Sequence, residues 1–127
     1  MRTEEEVLAR ARVLNLVEAR ASGVALELLL PELQRHGLGI YLTKDEARWF
    51  ADEADVDADD PRGAMQALAW ALRITDALAG DVEVIRDALD ARSPAVALRD
   101  AATIAAAMNA SNGAARNALR WVLDGDA

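Results

Sequence analysis

Apolar residues fall at helical spacing almost from the start of the chain. Val7, Ala11, Leu14, Val17 and Ala21 recur every three or four positions, and Ser22-Gly23 closes the run. It opens on Thr3-Glu4-Glu5-Glu6, a capping box in which the threonine hydroxyl serves the amide three residues on and Glu6 reaches back. A second helix is predicted over Ala25, Leu26, Leu29, Leu30 and Leu33, stopping at His36-Gly37. Pro31 should kink or break it, because proline removes one ladder donor. Leu38 to Leu42 is expected as a short extended connector. Thr43-Lys44-Asp45-Glu46 repeats the capping box and opens a third helix through Ala47, Trp49, Phe50 and Ala54. Asp60-Pro61 pairs an N-cap with proline at the first helical position. The helix it opens runs to Gly80 and is apolar on most sides, as a central buried element would be.

The last third of the chain carries three shorter apolar runs. Val82, Ile85, Ala88 and Leu89 mark one helix, Leu98 to Met108 another after Ser93-Pro94, and Asn112 to Leu123 a third. No period of 20 to 50 residues repeats. The chain is therefore predicted to be all-α, with about seven helices and at most a short strand pairing near 38–42 or 95–97.

Composition narrows the picture. Of the 67 apolar residues 29 are alanine, so 67 − 29 = 38 larger apolar side chains must build the core, with helices packed closely over the alanines. Few aromatic and β-branched residues disfavour a β fold. No apolar run approaches the roughly 18 residues of a membrane span. The acidic start lacks a signal-peptide core, which leads to an expectation of a cytoplasmic protein. The absence of cysteine excludes disulfides and thiolate chemistry, and the single histidine, His36, has no evident catalytic partner. No nucleophile, base and oxyanion donor assemble, so neither an enzyme nor a metal or cofactor site is expected. Thirteen arginines to one lysine, with abundant alanine, suggest a GC-rich coding sequence.

Charge is distributed unevenly. The chain carries 14 − 22 = −8 overall, yet residues 44–60 alone hold eight acids against two bases. Asp55-Val56-Asp57-Ala58-Asp59-Asp60 begins like a calcium loop. Asp60 stands where the EF-hand requires glycine, and Gln66 where it requires a bidentate glutamate. The stretch therefore reads as an acidic linker ending in an N-cap. Residues 98–123, by contrast, carry Arg99, Arg116 and Arg120 against Asp100.

From Ile104 the chain reads Ile104-Ala105-Ala106-Ala107-Met108-Asn109-Ala110-Ser111-Asn112-Gly113-Ala114-Ala115-Arg116-Asn117-Ala118-Leu119-Arg120. This resembles the helix-turn-helix of bacterial transcription regulators, in particular the tri-helical core of winged-helix types, over residues about 82–123. Ala105 is the small residue where two helices cross, Asn109 the left-handed residue of the turn, and Ser111 the N-cap of the second helix. Val82 to Ala91 supplies the first helix. Ala110 and Ala115 stand where larger aliphatics are usual, and no wing is expected in Asp124-Gly125-Asp126-Ala127. The resemblance implies that Ser111, Asn112, Arg116, Asn117 and Arg120 face duplex DNA, asparagine suiting adenine and arginine suiting guanine or phosphate.

Two functional expectations follow. In the first, the chain is a small regulatory DNA-binding protein of bacterial or phage type. Residues 1–79 then form a helical scaffold or homodimerisation module and 80–127 the helix-turn-helix-like module, unless both form one continuous domain. In the second, it is an acidic helical interaction protein (an antitoxin, immunity protein or phage-encoded inhibitor) that meets a basic protein partner through Asp52, Glu53, Asp55, Asp57 and Asp59. Trp49, Trp70 and Trp121 are expected as core anchors, Trp121 lying beside Arg120.

Overall fold

A computed structural model describes residues 1–125; Asp126 and Ala127, and with them part of the segment where a wing was not expected, lie outside the described residues. It is all-α, with no strand among the described residues. Seven helices follow in order: α1 Glu4–Ala21, α2 Leu26–Arg35, α3 Lys44–Phe50, α4 Pro61–Ala71, α5 Val82–Asp90, α6 Ala101–Ala110 and α7 Gly113–Leu123.

The helix starts are set by local chemistry. Thr3 and Thr43 each accept from the amide three residues on, while Glu6 and Glu46 reach back to complete both capping boxes. Asp60, Asp81 and Asp100 cap α4, α5 and α6 through their carboxylates. The ends are less uniform. Gly23 follows α1 in the left-handed region, and Val24 N–H closes back on Ala19 O. The same closing pattern ends α3 at Asp52 (φ 60) and α4 at Arg73 (φ 61), with Glu53 N–H on Arg48 O and Ile74 N–H on Ala69 O. Both helices therefore stop earlier than their apolar patterns suggest, α3 at Phe50 and α4 at Ala71.

Three further differences from the sequence reading have physical causes. α2 runs unbroken across Pro31, because Leu29 and Leu33 on its inner face are buried and hold both halves in place. Leu38–Tyr41 is a 3-10 helix rather than an extended connector, a turn that lets Leu38 reach the core. α6 begins at Ala101, because Leu98 and the residues before it stay extended to serve the end of α4. Ala97 N–H and Arg99 N–H donate to Leu72 O and Ala71 O.

α1 joins two apolar clusters. Val7, Ala11 and Leu14 pack with α4, α5, α6 and α7. Ala9, Val13, Leu16 and Val17 pack on the other side with α2, the 3-10 turn and α3. α4 is the central element of the first cluster, Met65 to Leu72 being buried almost without interruption, and it packs against both α1 and α7. Two buried carboxylates tie the layers together. Glu46 (3% exposed) receives both ends of the Arg10 guanidinium at 2.6 Å, joining α3 to α1. Glu18 (6% exposed) receives Arg62 of α4 and Arg86 of α5 at 2.7 and 2.8 Å.

Candidate nucleic-acid interface

α6 and α7 form a helical hairpin joined through Ser111 and Asn112. Its turn differs from the expected one. Asn109 lies within α6, and the left-handed residue is Gly113 (φ 58), which opens α7. Ser111 does not cap α7; its hydroxyl donates to Ala107 O at 2.7 Å and finishes α6 instead. The reason is geometric. A Ser/Thr hydroxyl reaches a carbonyl four residues back as readily as an amide ahead, and glycine takes the positive φ more cheaply than asparagine. Asn112 is the N-cap of α7 without a side-chain cap bond, so its side chain leaves the first amides of α7 unserved.

The helix beneath this hairpin is not the expected one. α5 packs mainly on α1 and α4, and α4 lies against α7 in its place. Leu119 and Val122 of α7 and Ile104 of α6 are fully buried against that support. Arg2 also fastens α7, donating from its amide to Val122 O and from Nε to Trp121 O, with its guanidinium 4.2 Å over the Trp121 ring.

On the outer side, Asn112, Arg116, Asn117 and Arg120 are all exposed. At 100° per residue, Arg116, Arg120 and Asn117 fall in one arc of about 100°. No hydrogen bond or ion pair engages the side chain of Arg116 or Arg120 among the described residues, whereas Arg2, Arg10, Arg20, Arg35, Arg62 and Arg86 are all paired with carboxylates. No acid occurs between residues 101 and 123.

Arg99, counted with these bases in the sequence, does not belong to the face. Its Nε donates to Trp70 O at 2.7 Å and its Nη2 to Thr75 O at 3.0 Å, and the guanidinium stacks 4.5 Å over the Trp70 ring. It is a cap for the end of α4. The acidic stretch also reaches this face. Asp59 shares a groove of about 250 Å³ with Arg10, Asn117 and Trp121, so acid borders the Asn117 edge of the arc. Trp49 and Trp70 are buried as anchors, and Trp121 is half-buried at this groove.

The residues of the alternative site separate in the structure. Asp52 pairs with Arg20 at 2.9 Å. From Ala54 to Asp59 side chains alternate: Ala54, Val56 and Ala58 pack on the second cluster, while Asp55, Asp57 and Asp59 are exposed. Glu53 is exposed beside them. In an extended segment, alternate residues stand about 6.5 Å apart on one side, so these acids form a short outward row.

Compared with protein families, curated proteins and solved structures, the chain gives no match to any of the three. No helix among the described residues is long and apolar enough to cross a membrane.

Proposed function

We propose that the protein binds duplex DNA through the exposed face of α7. The observation that carries the reading is the pair Arg116 and Arg120, one helical turn apart, exposed and with side chains unpaired among the described residues, on a helix whose opposite side is locked into the core. An unpaired arginine pair supplies phosphate or guanine contacts, and Asn112 and Asn117 flank it with groups suited to base edges. The uncapped start of α7 adds amides that favour a phosphate oxygen. Against a net charge of −8, DNA approach is favoured where acids are few; residues 101–123 contribute none, and Asp59 borders the face only at its Asn117 edge. Two copies would combine two weak faces into one useful affinity. Residues 1–79 offer exposed Leu28 and Ile40, 68% and 86% accessible, for that contact.

The test is fluorescence anisotropy with duplex DNA between about 50 and 200 mM salt. Wild-type affinity should fall with salt, and the double change Arg116→Ala/Arg120→Ala should flatten the log–log slope by roughly two. Its melting temperature should stay unchanged, since neither side chain holds the fold. No binding at the lowest salt, or binding that survives the double change, refutes the proposal.

The outward row Asp55, Asp57 and Asp59 favours a second reading, an acidic edge that docks a basic protein. Its three side chains are exposed over a backbone pinned by Val56, so little ordering is lost on binding. A retained cationic partner that is released by Asp55→Asn/Asp57→Asn/Asp59→Asn, with no DNA binding by the wild type, would establish it instead.

A further inference from the structure

A cationic cleft lies away from the exposed face of α7, where α1, the end of α2 and the segment after α5 meet. It encloses about 490 Å³ and is lined by Arg12, Arg35, His36 and Arg92, a volume within the range of small-molecule sites. No carboxylate lines it. Glu32 and Asp90 line the adjoining hollow and are already engaged: Arg35 Nε stands 3.3 Å from Glu32, and its Nη2 is 2.7 Å from Asp90 Oδ1. Glu32, His36 and Asp90 bring ligand-type atoms within 4.8 Å of one another, and the Arg35 guanidinium, also 3.1 Å from His36 Nε2, is the cation they hold.

The other two arginines make no ion pair among the described residues. Arg12 is fixed by backbone carbonyls alone, donating to Leu89 O at 3.0 Å and Ala91 O at 2.7 Å. Arg92 is exposed and makes no hydrogen bond or ion pair among the described residues. Crowding of like charge is felt by its members. Burial and then the Arg35 charge push the Arg12 pKa down. Burial, followed by Arg12 and Arg35, pushes the His36 pKa down.

We propose that this cleft binds a small phosphate-bearing anion, a phosphate monoester or diphosphate, between Arg12, Arg35 and Arg92. Arg92 offers a guanidinium fork that matches a tetrahedral oxyanion with paired hydrogen bonds, while Arg12 and Arg35, engaged through Nε and Nη2, add Nη1 donors and positive charge. Three guanidiniums and one imidazole line the cleft, with no apolar side chain, which favours the anionic phosphate group as the recognised part. An entering dianion would offset the charge of Arg12 and Arg35 and make protonation of His36 easier. The other charged groups facing that imidazole, Glu32 and Asp90, are already opposed by Arg35.

The experiment titrates the full chain with inorganic pyrophosphate and with glycerol phosphate at constant ionic strength, by calorimetry and by NMR of the imidazole. His36 is the single histidine, so its resonance is unambiguous. Saturable binding below about 1 mM is expected for at least one probe, the tighter one assigning diphosphate or monoester. Occupancy should raise the His36 pKa, and Arg92→Ala should weaken binding about tenfold without lowering the melting temperature. Arg116→Ala should leave binding unchanged, which separates this cleft from the α7 face. No saturation by either probe up to about 10 mM, or equal binding by Arg92→Ala, would overturn the proposal.

Discussion

Arg99→Ala should be among the more damaging changes available at a half-exposed position. The guanidinium satisfies Trp70 O and Thr75 O at 2.7 and 3.0 Å and covers the Trp70 ring. Hydrogen bonds to a charged group contribute about 1.5–3 kcal/mol each when dry. With water able to reach this site, about 1 kcal/mol each is the appropriate share. Stacking on tryptophan adds about 0.5–1 kcal/mol, for a total near 3 kcal/mol. In a domain of this size that corresponds to a fall of about 10 °C in melting temperature. Arg99→Lys keeps the charge but cannot fork between two carbonyls, so about half of the loss should remain. Arg116→Ala is the comparison, with an expected effect below about 0.5 kcal/mol. Urea unfolding monitored by tryptophan fluorescence and far-UV dichroism gives the three free energies. If Arg99→Ala costs no more than Arg116→Ala, Arg99 is a surface charge and its assignment as a helix cap is wrong.

Arg73→Gly should raise stability by about 0.5 kcal/mol, since the left-handed strain of a side chain at φ 61 exceeds the extra chain entropy of glycine; a loss in thermal unfolding would contradict the assigned end of α4. Acid should act partly through Asp100, whose carboxyl is held below the ordinary aspartate value, chiefly by the backbone hydrogen bond from Thr103. A depressed folded pKa stabilises above the unfolded value of about 3.9 and is lost as pH falls through the folded value. The wild type's advantage over Asp100→Ala should therefore be full at pH 7 and shrink below about pH 4; an advantage unchanged at lower pH would show that the ionised cap is not what matters.

The sequence by itself determined three helix starts and the outward set on α7. Thr3-Glu6, Thr43-Glu46 and Asp60-Pro61 act within three or four residues, so their hydrogen bonds are written locally. The exposure of Arg116, Asn117 and Arg120 follows from the period of Leu119 and Val122 on one short helix. Helix ends were legible only where glycine marks them, as at Gly23 and Gly37. Asp52 and Arg73 hold the same backbone conformation without the residue that announces it. Tertiary structure alone decided the rest, because it depends on groups far apart in the chain. Arg99 is drawn from the apparent basic face by carbonyls 24 and 29 residues earlier. α4 rather than α5 supports α7, since its buried Met65–Leu72 surface is shared by both ends of the chain. Arg12, Arg35 and Arg92 form no motif in sequence, and only the packing of α1 against α2 and α5 collects them around His36. Local hydrogen bonds select where helices begin; the burial of apolar faces and the partners found by each guanidinium select which charges remain free to act.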